Sequence, residues 1–88
     1  MDLIKTAKGV ELTTDYLSAI PNPKTMFFRV IGMDFVSVAA IVTDPEQMES
    51  LEYGNYIITG CTLNFVSVEG TAVKVSANYT EIREKVNG

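Results

Sequence analysis

The sequence predicts an all-β or β-dominated single domain over residues 1–88, a small antiparallel sandwich or barrel of about six or seven strands with one short helix near residues 44–52. Three observations lead there. Runs rich in β-branched and aromatic residues, "MFFRVIG", "DFVSVAAIV", "NYIIT" and "TLNFVSV", recur along the chain. Gly and Pro punctuate the spaces between them. In "TAVKVSANYTEI", Val73, Val75, Ala77 and Tyr79 alternate with Lys74, Ser76, Asn78 and Thr80, which gives one buried face and one wet face.

Element by element, "LIKT" and "VELTT" flank "AKG", where Gly9 can supply the positive φ of a hairpin loop. In "DYLSAIPNPKT", Pro21 and Pro23 lack backbone N–H donors, so the segment is read as a loop anchored by Tyr16, Leu17 and Ile20. Residues 26–31 and 35–42 are read as two central strands joined through Gly32 and Met33. In the second, both alternating sets are largely apolar, as expected of a strand covered on both faces or lying at an interface. After the acidic segment come two strands, the turn at Glu69 and Gly70, and a last long strand. The tail "EIREKVNG" is short for a helix, so fraying or a single terminal turn is expected.

The segment "TDPEQMESLEYGNY" gathers Asp44, Glu46, Glu49 and Glu52 behind a proline. A helix start accounts for them: Thr43 or Asp44 can cap, Pro45 suits the first helical position, and Glu46 favours the positive end of the helix dipole. Met48 and Leu51 then share a face that can press on the sheet. A calcium loop would need closely alternating oxygen ligands, which this spacing does not provide. No metal and no cofactor is expected.

Composition narrows the function. With 47% hydrophobic and 20% charged residues the chain is that of a packed fold, and folding removes roughly 60–65% of the surface of a chain this short. A core that thin leaves apolar side chains at the surface or against a partner, so self-association is the default expectation. The net charge of −4, with only seven Lys and Arg, argues against nucleic-acid binding. No apolar run has signal-peptide or membrane-span length, which suits an intracellular, soluble protein with no membrane partner. The absence of His removes the usual bases, and the neighbours of Cys61 supply no cation to activate it, so no catalytic residue is nominated and an enzyme is not expected.

Phe27, Phe28, Phe35 and Phe65 sit in apolar runs and are read as core. Tyr16, Tyr53, Tyr56 and Tyr79 fall in loops or at strand ends. If a partner-binding patch exists, its residues are Glu46, Glu49, Tyr53 and Tyr56, an acidic helix face beside two tyrosines of the type enriched at interface centres.

Ile4, Lys5, Thr6 and Gly9, then Asp44, Pro45 and Leu51, Gly54 and Tyr56, Gly60 and Thr62, and finally Gly70, Val73 and Val75 form a pattern spanning most of the chain. In this it resembles a group of small uncharacterised proteins from phages and prophages of Gram-positive bacteria. Cys61 and the segment "SAIPNPKT" depart from the pattern. The resemblance implies phage or prophage origin and is compatible with a particle component of tail, connector or baseplate type, or with a host-modulating factor. It transfers no site residue. The expected function is therefore a protein–protein interaction module, either homo-oligomeric or part of a particle, with a monomeric binding module as the alternative.

Overall fold

The computed structural model describes residues 2–86. Its elements are β1 (Asp2–Thr6), β2 (Glu11–Pro21), β3 (Lys24–Val30), α1 (Phe35–Val42), α2 (Pro45–Met48), β4 (Ser50–Tyr53), β5 (Tyr56–Thr59), β6 (Thr62–Glu69), β7 (Ala72–Asn78) and β8 (Glu81–Glu84). The eight strands form one antiparallel sheet in the order β6-β7-β3-β2-β1-β4-β5-β8, so the chain is β-dominated, as its composition implies.

Connectivity rolls this sheet up. β5 and β6 stand near opposite ends of the order, yet only Gly60 and Cys61 separate them, and only Tyr79 and Thr80 separate β7 from β8. The two ends of the ribbon must therefore meet, which makes β5–β6 and β7–β8 the halves of one long bent hairpin and the whole a barrel. At the bend the Thr80 N–H donates to the Thr59 carbonyl at 2.8 Å. Gly60 sits there at φ +68°, so close that a Cβ would fall 2.1 Å from the Thr80 hydroxyl oxygen. Only glycine suits both the backbone conformation and the contact.

Inward-facing residues alternate along the strands, and their side chains form one core: Ile4 from β1, Leu12 from β2, Met26, Phe28 and Val30 from β3, Leu51, Ile58, and Val73, Val75 and Ala77 from β7. Three buried polar side chains are each hydrogen-bonded within the fold, as burial requires. Thr6 donates to Gln47, Thr14 donates to the Tyr16 carbonyl, and Ser76 accepts from Asn64.

Several expectations change. Residues 35–42 are helix α1, not a strand: the Asp34 carboxylate caps it by accepting the Ser37 N–H at 2.7 Å, and Val38 and Val42, four apart, are its buried pair. The expected loop at residues 15–25 is a hairpin of β2 and β3, paired from Tyr16↔Arg29 to Pro21↔Lys24, because the two prolines fall at its tip. The helix expected over residues 44–52 is the single turn α2, capped by Asp44, after which β4 begins at Ser50. Met48 and Leu51 are both buried, but Leu51 reaches the core from a strand. The tail is not frayed at residues 81–84, which form β8 against β5, while Asn87 and Gly88 lie outside the described residues. Of the four phenylalanines only Phe28 is fully buried, and Phe35 and Phe65 are exposed.

Candidate protein-interaction surfaces

The barrel has two openings. At one, α1 and α2 bring Val38, Val42 and Met48 into the core, each nearly inaccessible to solvent. The hairpin turn between β1 and β2 is fastened to this plug, since the Ala7 N–H donates to the Gln47 carbonyl at 3.0 Å and Lys8 pairs with Glu46 at 3.0 Å. At the other opening, beside the part of β2 past its pairing with Asp2, lies an apolar mouth of about 270 Å³ lined by Leu17, Ala19, Tyr53, Tyr56, Ile58 and Ile82. The Tyr53 hydroxyl donates to the Asp2 carboxylate at 3.1 Å on its rim. Burial first, and the adjacent Asp2 second, push the Tyr53 pKa up.

The four residues nominated from sequence divide between these openings. Tyr53 and Tyr56 face each other across the β4–β5 turn, paired in register, and both line the mouth. Glu46 is on α2 at the plugged end, held by Lys8, and Glu49 ends α2. Four residues of extended chain, roughly 13 Å, separate Glu49 from Tyr53. The tyrosines therefore share a concavity that the carboxylates do not reach.

Burial pushes the Cys61 thiol up to about 12, so it is protonated at neutral pH and is no thiolate nucleophile. Its S–H points to the Ile58 carbonyl at 3.7 Å. Among the described residues no three His, Cys, Asp or Glu side chains gather as a metal site, and no helix is long and apolar enough to cross a membrane. The cleft beside Cys61, lined by Val42, Thr43, Pro45, Met48, Thr62 and Leu63, gathers no charged side chain.

Two further surfaces lie apart from these four residues. The first is the outer side of α1. From Phe35 to Val42 the helix has no charged residue, and its unburied positions include Phe35, 38% exposed, and Val36, 76% exposed. A surface helix ordinarily carries charge opposite its buried stripe. β6 packs beside α1, and Phe65 and Val68 on that strand are exposed. The second is the length of β2 past its pairing with β1: among the described residues 16–21 pair with β3 alone, while the Tyr16 and Ile20 carbonyls accept from the Thr14 and Tyr79 hydroxyls.

Protein-family models, curated proteins and solved structures were all compared with the chain, and none matches it.

Proposed function

We propose that this protein is a non-enzymatic protein–protein interaction module that assembles with copies of itself, as a structural or assembly component of a phage or prophage particle. The observation that carries the proposal is the uncharged outer side of α1, where Phe35 and Val36 lie in water on a helix with no compensating charge. A second copy suits this surface on electrostatic grounds. A two-fold contact presents the same patch from both copies, and on a chain of net charge −4 an uncharged patch lets two copies meet without opposing like charges. The phage assignment rests on the sequence resemblance alone.

Absolute mass by light scattering on a sizing column, over a wide concentration range and at two salt levels, tests the proposal. The wild type is expected to be a multimer that resists dilution and salt, and Val36→Glu to lower its mass without unfolding it, since that side chain is already in water. A wild type that stays monomeric at high concentration would overturn the reading.

The mouth supports a second reading, a monomeric module that takes up an apolar group of a protein partner between Tyr53 and Tyr56. The acidic face then plays no direct part, so charge reversal at Glu46 and Glu49 would leave partner capture unchanged.

A further inference from the structure

We infer that two copies of this chain join along the free edge of β6, the two strands pairing antiparallel with Ser67 on the two-fold axis. This deepens the reading that the chain self-associates and rests on it, adding backbone hydrogen bonds to the contact proposed for α1. On its own α1 is too small for that contact. Its eight residues make a cylinder roughly 12 Å long and 10 Å wide, a footprint of about 120 Å² against the roughly 800 Å² per partner of a standard stable interface. β6 packs beside α1, so one two-fold axis serves both.

β6 ends the sheet on its side and pairs with β7 alone. Which of its backbone groups are free follows from the turn. Gly70 and Thr71 form a two-residue hairpin loop, so the Glu69↔Ala72 pair that closes it exchanges both N–H···O bonds, and bonded and unbonded pairs alternate from there. Ser67 and Phe65 therefore bond to β7, whereas the N–H and C=O groups of Val66 and Val68 point away from it. Among the described residues no other backbone or side-chain group bonds to them, and Asn64 beside them is turned to Ser76 and Asn78 of β7. Both flanks of β6 are internal, the bend at Gly60 and the turn at Gly70, while Asp2 and Lys85 lie by the mouth. Such an edge is a template for another strand unless charge, a bulge or a covering element blunts it. None of these falls on residues 65–68, "FVSV". The span is uncharged, the register shift precedes it between Leu63 and Phe65, and the cleft formed with α1 and α2 meets β6 at Thr62 and Leu63. Phe65 and Val68 are 47% and 64% exposed. The opposite fate is visible at β8, the other edge of the sheet, where Glu81, Arg83 and Glu84 occupy three of four positions.

Register follows from the free groups. Centring on Ser67 sets Val66 of each copy opposite Val68 of the other, so every free N–H and C=O of the span finds a partner. Centring on Val66 would carry Val68 to the bulge, and centring on Val68 would carry Val66 to the turn. Side chains agree with the Ser67 register. Val66 and Val68 share a face with Val75 and Val73, their opposite numbers on β7, so the exposed Val68 is covered by an apolar Val66. Charge agrees as well. Glu69, the one charged residue of β6, falls opposite Phe65 and not opposite its twin, and it is already held by Arg29 at 2.9 Å and Lys74 at 3.8 Å. An uncharged span whose free groups match under a two-fold rotation selects a second copy over an unrelated strand.

Ser67→Cys tests the axis directly. Opposed residues of an unbonded antiparallel pair have Cα atoms roughly 4.5 Å apart, within the range a disulfide bridges. Oxidised at micromolar concentration, the variant is expected to form a covalent dimer roughly tenfold or more faster than Asn55→Cys, an exposed turn position by the mouth, because pairing raises the effective concentration of the thiols. The wild type supplies the blank, since its only cysteine, Cys61, is buried. Adding Val68→Pro should abolish the advantage and, because it removes an N–H that β7 does not use, leave the far-UV circular dichroism of the fold intact. Val68→Lys, at a side chain already largely in water, should act the same way through charge. Equal cross-linking rates for Ser67→Cys and Asn55→Cys in a protein that light scattering shows to be oligomeric would overturn this inference and leave the proposed function standing. A wild type that is monomeric throughout, with no preferential cross-link, would overturn both.

Discussion

The plugged and the open ends of the barrel are built from the same sheet, and they differ in what the connections bring to them. At the plugged end the 19-residue span between β3 and β4, residues 31–49, is long enough to fold two short helices over the gap and deliver Val38, Val42 and Met48. At the open end the links are the β2–β3 tip and the tight β4–β5 turn, which span the gap without filling it. Tyr79 reaches across from the bend, its hydroxyl donating to the Ile20 carbonyl at 2.9 Å, and Lys24 donates to the Thr80 carbonyl at 2.9 Å. These hold the hairpin in place over the mouth. Closing one opening supplies the core of a chain too short for a large one, and leaving the other unfilled exposes apolar surface that a partner can cover.

Both openings depend on the bend between the hairpin halves, so its loss is the largest effect expected. Gly60→Ala sets a methyl against both the Thr80 hydroxyl and Cβ, at 2.1 and 2.7 Å, and does so in a backbone conformation that L residues rarely adopt. Destabilisation of more than about 3 kcal/mol is expected from strain and clash together. Combining it with Thr80→Gly removes the clash but leaves the φ strain, so the double variant should recover part of the loss. Urea unfolding of the four members of that cycle measures the coupling, and strict additivity would show that the contact is not what requires glycine.

The next contrast sets the two ends directly against each other. Met48→Ala at the plugged end removes a side chain that is 2% exposed and should cost about 2–5 kcal/mol, because the cavity cannot collapse beneath two helices. Ile82→Ala at the mouth thins a wall that already faces a cavity, and about 1 kcal/mol is expected, the worth of area only half removed from water. Equal costs for the two would mean that the mouth is packed in solution, as it would be inside an oligomer that covers it. Denaturation at several protein concentrations separates that outcome from a tighter monomer.

Much of this architecture is legible from the residues, and the departures have physical causes. Gly9, Gly54 and Gly70 mark turns where each takes positive φ, and the alternation from Val73 to Tyr79 places β7 with its correct face inward. α1 reads as a strand because "FVSVAAIV" is apolar at nearly every position, and a segment apolar all round has no period to distinguish a helix from a doubly covered strand. The signal that could have found it is local: Asp34 three residues before Ser37, followed by Ala39 and Ala40, is a cap leading into good helix formers. In the β2–β3 hairpin, Pro21 and Pro23 end the pairing at the tip and leave the residues before them free to pair, which their missing N–H groups alone do not reveal. Tyr53 and Tyr56 are neighbours on one concavity, but grouping them with Glu46 and Glu49 requires a helix through residue 52. The change to β4 at Ser50 is what carries the two sets apart.

The Asp34 cap gives the smallest and most local test of the same contrast, because it acts on the plug and not on the mouth. The Ser37 hydroxyl first, and the Ser37 backbone N–H second, hold the Asp34 carboxyl below the usual carboxylate range. A depressed folded-state pKa means that the charged form favours the capped helix. Its contribution is fully present above the unfolded-state value and is lost as pH falls through the lower, folded-state value. Acidification below the usual carboxylate range should therefore loosen the first turn of α1, read as a shift of the Ser37 and Val38 amides, before the barrel opens. Asp34→Asn keeps a capping oxygen without a charge to titrate, so it should flatten that pH dependence while preserving α1 at neutral pH. Asp15 is also depressed, chiefly by its hydrogen bond with Arg29, but it sits on the outer face of β2, where its titration reports on the hairpin. If the α1 amides move with Asp15 and not with Asp34, the two regions unfold as one, and the plug is no more separable from the barrel than any of its strands.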